Sequence, residues 1–142
     1  MHNISQAGLQ LIKQFEGCKL VAYKDGGGVW TIGYGHTANV FPKMTIMQVE
    51  ADRLLSEDLK WAEATVNNHV KVPLTQQQYD ALVSFVFNIG GCEFKSSTLL
   101  KKLNANEYLE AANQILRWDH DNGKVVRGLT NRRVAERALF VS

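Results

Sequence analysis

Cysteine is scarce: Cys18 and Cys92 are the only two in 142 residues. A pair that sparse gives no disulfide framework, and it is expected to be two reduced, partly buried thiols. Histidine is no richer. The 4 His are scattered without metal-ligand spacing, so no metal site is expected. No run of apolar residues is long enough to span a membrane. The start, Met1-His2-Asn3-Ile4-Ser5, lacks a basic leader followed by an apolar stretch. The expectation is a chain that accumulates in the cytoplasm of the cell that makes it. Charge of one sign is lacking too: 16 Lys and Arg against 14 Asp and Glu leave +2. That balance is too mild to imply nucleic acid, and it permits approach to an anionic polymer. There are no repeats and no low-complexity linker.

What is present is an ordinary globular mix, 45% hydrophobic and 21% charged, long enough for one domain or two lobes on one chain. Ser5 can cap a first helix with Leu9, Ile12 and Phe15 on its apolar face, ended by Gly17. Segments 19–24 and 29–34 are β-branched and aromatic, and they flank Asp25-Gly26-Gly27-Gly28, which predicts a hairpin. Thr45 with Gln48 is a capping-box pattern that predicts a long helix to about residue 68. Its mixed outer charges suit a helix bridging two lobes. Thr75 with Gln78 repeats the device before a very apolar helix over 79–89, ended by Gly90-Gly91. Ser96 or Ser97 opens a short helix to 103, and another runs over about 107–118. Asp121-Asn122-Gly123 is a turn, and Thr130 can cap a last helix through 140. One small hairpin among many helices is an α+β architecture. The expected division is a hairpin lobe over about 17–60 and a helical lobe over about 70–142 that includes the first helix. Ligand sites favour such junctions, so a cleft is expected between the lobes.

A pair of carboxylates invites attention. Glycoside hydrolysis needs an acid that protonates the leaving oxygen and a carboxylate that attacks or activates water. Glu16 stands at the C-terminal end of a helix, where the partial negative charge opposes ionisation, and Phe15 and Leu20 can add desolvation. Asp25 opens a Gly-rich turn, solvated and suited to act as a base. An inverting pair stands roughly 6.5–9.5 Å apart, with room for a water. Thr31, on the second strand, can face back toward Asp25 and hold that water. Taken singly, such a Glu is usually a solvated charge, such an Asp is turn chemistry and such a Thr is there for β propensity.

Together, Glu16, Asp25 and Thr31 resemble the catalytic signature of the phage lysozymes, glycoside hydrolase family 24. The surrounding wording is similar as well: Phe15-Glu16-Gly17, Tyr23-Lys24-Asp25 and Trp30-Thr31-Ile32-Gly33-Tyr34-Gly35-His36-Thr37. Further on come Ala81-Leu82-Val83-Ser84-Phe85-Val86-Phe87-Asn88-Ile89-Gly90, then Phe94 and Ser97-Thr98-Leu99-Leu100. Trp118, Gly123-Lys124, Gly128-Leu129, Arg132-Arg133 and Glu136 resemble the C-terminal segment. The resemblance covers nearly the whole chain in order.

It implies a lysozyme-like fold and an N-acetylmuramidase that cuts the β-1,4 bond between N-acetylmuramic acid and N-acetylglucosamine with inversion. Glu16 carries over as proton donor, Asp25 as base and Thr31 as the residue positioning water, with no cofactor. Asn88 matches a polar position on the cleft-facing helix and can hydrogen-bond sugar. Arg132 matches a basic residue that approaches the acid, and can equally be a solvated helix residue. Tyr34, Ser97 and Trp118 either line sugar subsites or pack, and His36 is expected to buttress the hairpin. The partner is peptidoglycan, met by a monomer in a phage-infected host after release through a separate holin. The rival readings are a lytic transglycosylase, in which Asp25 and Thr31 are idle, and a membrane-active or silent wall-binding protein. The last draws on Arg132, Arg133 and Arg137 beside Val134, Leu139 and Phe140, a basic face that can touch anionic surfaces.

Overall fold

The structure, a computed structural model, describes residues 2–142. The chain divides into two compact units, one of Ile12–Lys60 and one of Met1–Leu11 with Trp61–Ser142. The division falls within the first helix, between Leu11 and Ile12.

The Ile12–Lys60 unit holds the end of α1 (Gln6–Glu16), the strands β1 (Lys19–Lys24) and β2 (Trp30–Gly33), and α2 (Gln48–Asp58). The strands pair antiparallel, Tyr23 opposite Thr31 and Lys24 opposite Trp30, with an irregularity between Lys19 and Tyr23. Segment 44–46 runs along the free edge of β1: Ala22 N–H donates to Met44 O (2.8 Å) and Ile46 N–H to Leu20 O (3.0 Å). Thr45 is therefore spent on a bridge to Val21 and does not cap the next helix. That helix starts after Met47, which supplies no side-chain cap. Buried Ile32, Ala51 and Leu55 pack α2 onto β2. The single long helix predicted to residue 68 is two, α2 and α3 (Lys60–His69), separated at the buried Leu59. The outer charges of α2 are as expected, with Arg53 bonded to Glu50 and Glu57 in exposed pairs that contribute little.

The other unit is built around α4 (Gln76–Ile89), buried at Tyr79, Ala81, Leu82, Val83, Phe85 and Val86. Its capping box is as predicted: the Thr75 side chain accepts from Gln78 N–H, and Gln78 answers the Thr75 N–H. Gly90 ends it, but Gly91 at once begins a short unforeseen helix, α5 (Gly91–Lys95). Next come α6 (Thr98–Asn104), capped by Ser97, α7 (Tyr108–Ile115), and the two-residue strands β3 (His120–Asp121) and β4 (Lys124–Val125). The Asn122-Gly123 turn expected from sequence thus closes a second, minimal hairpin. The last helix, α8 (Arg127–Val141), has Val126 in the N-cap position, a full turn before the Thr130 cap predicted for it. Thr130 Oγ1 donates to Asp119 Oδ2 instead (3.1 Å). Helix α8 packs on α4 and α7, and α7 packs on α6.

The segment before α1 is strapped to this unit by side chains. Tyr79 Oη donates to His2 O (2.9 Å), Ile4 N–H to Glu63 Oε2 (2.8 Å), and Ser5 N–H to the buried Asp80 Oδ1 (3.0 Å). Ser5 caps α1 as predicted, accepting from Gly8 N–H. Both cysteines are free, as expected, but exposed rather than partly buried. No helix among the described residues is long and apolar enough to cross a membrane.

Candidate active site

Glu16 is the last residue of α1 and is half-buried. The helix stops there because Gly17 adopts φ +70 while its N–H still bonds Lys13 O (3.0 Å). The carboxyl faces Gly35, where a methyl group would lie 3.4 Å from Glu16 Oε1. Gly35 also has φ +84, so its lack of a side chain serves both the turn and the approach to the acid. The loop around it is pinned by His36. The His36 backbone exchanges both hydrogen bonds with Ile32 (2.9 Å each), and its ring meets Asp58 Oδ2 through Nδ1 (2.8 Å) and Ala38 O through Nε2 (2.9 Å). His36 is thus the buttress expected of it.

Asp25 is exposed at the end of β1. Its Oδ1 accepts from the N–H groups of Gly27 and Val29 (2.9 Å each), while Oδ2 takes no part in the turn. Thr31 is buried, and its hydroxyl donates to Val29 O (2.9 Å). That carbonyl also accepts from Asp25 N–H (2.9 Å). The backbone of a single residue, Val29, therefore ties the carboxylate of Asp25, through its N–H, to the hydroxyl of Thr31, through its carbonyl. With its one proton committed, Thr31 Oγ1 offers only lone pairs, which suits it to accept a hydrogen bond from water. Sequence reasoning missed Val29, because a backbone link carries no residue-type signal. Gly35 stood in the quoted motif but without a role.

The remaining candidates separate by environment. Tyr34 is buried, and its hydroxyl accepts from Gln48 Nε2 (3.0 Å), beneath the Lys13 ammonium. Gln48 also donates to Asp52 (3.0 Å), which Lys13 meets at 3.3 Å. The Gln48 hydrogen bond, aided by Lys13, holds the Asp52 carboxyl below its ordinary range. Ser97 is buried as the cap of α6, donating to Phe94 O (2.7 Å) and accepting from Leu100 N–H (3.1 Å). Both hydroxyls are already engaged.

Arg132 is not a solvated helix residue. It is buried, with Nε on Glu136 Oε2 (3.2 Å) and a terminal nitrogen on Ser84 O (3.2 Å). Its neighbour Arg133, 1% exposed, donates to Glu136 Oε1 (2.5 Å), to Trp118 O (2.9 Å) and to the side-chain carbonyl of Asn88. Burial holds the Arg133 guanidinium below its ordinary value, against the pull of Glu136. Two of the three arginines invoked for a membrane-touching face therefore point inward, and Arg137 bonds Asn113. The basic surface stripe expected on the last helix does not exist. Asn88 is exposed above Arg133. Trp118 packs edge to face with Phe85 (centroids 5.9 Å apart), the packing role weighed for it. Among the described residues, no cluster of His, Cys, Asp or Glu could hold a metal.

The family model described as phage lysozyme matches residues 13–136. The endolysin of Acyrthosiphon pisum secondary endosymbiont phage 1 is 49% identical, with 100% of this chain and 99% of the relative covered. The endolysin of Salmonella phage P22 is 45% identical over 100% of both chains. Among solved structures, the muramidase domain of SpmX from Asticaccaulis excentricus superposes with a TM-score of 0.94 at 42% identity, covering 100% of this chain and 99% of that one.

Proposed function

Because this chain belongs to the phage lysozyme family, and is thereby a glycoside hydrolase with a lysozyme-like fold, we propose that it cuts the β-1,4 bond between N-acetylmuramic acid and N-acetylglucosamine with inversion. Glu16 protonates the leaving oxygen. Asp25 takes a proton from the attacking water, and Thr31 Oγ1 accepts that water's other hydrogen. The observation that carries this reading is the Val29 backbone, whose N–H and carbonyl link Asp25 to Thr31 while Asp25 Oδ2 stays outside the turn. A retaining enzyme would need no such water-holding pair. Asn88 is the sugar-facing donor. Tyr34, Ser97 and Arg132 act by fixing local structure, because their polar groups are engaged. The protein works as a monomer, held in the host cell until a separate holin opens the way to peptidoglycan.

The test is turbidity loss of purified peptidoglycan with product analysis. Glu16→Gln should lower the rate by roughly a hundredfold to ten-thousandfold, the usual share of a general acid. Asp25→Asn should be similarly impaired. Freshly cut ends should be reducing and of inverted anomeric configuration by NMR. Anhydro-muramic ends would instead establish transglycosylation, and retained activity in Glu16→Gln would remove the acid.

A further inference from the structure

Asp52, on α2, plays no part in the chemistry described so far, yet it reaches both segments that frame the Glu16 carboxyl. Its Oδ1 meets the Lys13 ammonium on α1 (3.3 Å) and accepts from Gln48 Nε2 (3.0 Å), and the same Gln48 nitrogen donates to Tyr34 Oη (3.0 Å). We propose that Asp52 is a positioning residue for the general acid, bracing through Lys13 and through Gln48–Tyr34 the two segments that set where the Glu16 carboxyl lies, a role that deepens the muramidase reading and rests on it.

Each arm of the brace ends next to the acid. Lys13 is three residues before Glu16 on α1, and its carbonyl accepts from Gly17 N–H (3.0 Å), the bond that closes the helix around Glu16. Tyr34 directly precedes Gly35, which faces Glu16 Oε1. Gly33 (φ +65) and Gly35 (φ +84) lie on either side of it, so among residues 33–35 only Tyr34 has a side chain to anchor the turn. That side chain is buried beneath the Lys13 ammonium, 5.7 Å from the ring centroid. Both hydrogens of the Gln48 amide nitrogen are committed, one to each arm. Helix α2 is the firm member of the brace, because its Ala51 and Leu55 are buried.

Such a brace matters more to the reaction than to folding. The Asp52 side chain is 43% exposed, and ion pairs so open to water stabilise a fold weakly. Catalysis is less tolerant: a misplacement of about 1 Å can lower a rate about a hundredfold. The Gln48 hydrogen bond, aided by Lys13 and Tyr34, holds the Asp52 carboxyl below its ordinary range, so the shared acceptor stays charged through the neutral pH range.

The test is steady-state kinetics on soluble glycan strands for wild type, Asp52→Ala, Asp52→Asn and Gln48→Met, with thermal unfolding of each. Asp52→Ala and Gln48→Met should each lower kcat about tenfold, part of what a full 1 Å misplacement costs, and leave KM and Tm near wild type. Asp52→Asn keeps an oxygen for both Lys13 and Gln48, so its kcat should stay within about threefold of wild type, the scale of an exposed ion pair. An unchanged kcat in Asp52→Ala overturns the proposal. So does a rise in KM at unchanged kcat, which would set Asp52 against the sugar, or an Asp52→Asn as slow as Asp52→Ala. A kcat that falls only where Tm falls with it marks a merely structural role and overturns it too. If Asp52→Ala fails to fold, Gln48→Met decides by the same criteria. These are ratios to wild type on one substrate, read whether the cut ends are reducing or anhydro, so they stand apart from the product analysis that decides the muramidase reading.

Discussion

Glu136 is the residue whose loss the helical unit should tolerate least. It is fully buried, and it accepts from Ser84 Oγ (2.6 Å), Arg132 Nε (3.2 Å) and Arg133 (2.5 Å). One carboxylate thus bonds two buried guanidiniums, and burial already holds the Arg133 guanidinium below its ordinary value. Replacing Glu136 with alanine removes a buried carboxylate from both guanidiniums and takes the acceptor of the Ser84 hydroxyl away. Breaking a buried pair from one side costs about 3–5 kcal/mol. With an m-value of about 4 kcal/mol per M in guanidinium chloride, the unfolding midpoint should fall by about 1 M. Equilibrium denaturation followed by tryptophan fluorescence and by circular dichroism measures it. Trp118, whose carbonyl accepts from Arg133, is a local reporter. A loss below about 1 kcal/mol would match an exposed pair and refute the argument, because the arginines would then have to be reaching water.

Other consequences can be checked in the same way. A methyl group at Gly8 would lie 2.7 Å from Asp80 Cγ and 2.7 Å from Ile4 Cγ1, so Gly8→Ala should cost about 1–3 kcal/mol in thermal or chemical unfolding. Thr75→Ala removes half of the α4 capping box and should cost about 1 kcal/mol, a drop in Tm of about 4 °C. Burial, helped by the Glu63 carboxylate, pushes the Tyr79 phenol up to about 12. The stabilisation this implies is complete below the unfolded phenol's value of about 10 and is lost as the pH rises toward 12. Tyr79→Phe should flatten that alkaline loss in pH-dependent unfolding, and an unchanged slope would remove Tyr79 as its source.

Side-chain signals that act locally were legible in the sequence. The Thr75–Gln78 box, the Ser5 and Ser97 caps, the Gly17 stop and the Gly-rich turn after Asp25 each depend on a few adjacent residues, and each stands where it was expected. Thr45 and Thr130 carried equally good local signals, yet both were claimed by neighbours distant in sequence: Val21 for one, Asp119 for the other. A capping propensity of about 1 kcal/mol is small enough for such a partner to override.

The same limit explains the arginines. From the chain alone, Arg132, Arg133 and Arg137 beside apolar residues form a basic amphipathic helix, since charge is expected outside. The reading reverses only when Glu136, a turn away, is seen facing Ser84 on α4, because a carboxylate fixed inside draws its cations in with it. That one inward Glu also sets the hand that Arg133 extends to Asn88, and so decides which end of the Asn88 amide a ligand meets. Spacing alone identifies Asn88 as a polar residue on a helix. Its role as an oriented donor depends on a residue on another helix, through a contact that no pattern along the sequence encodes.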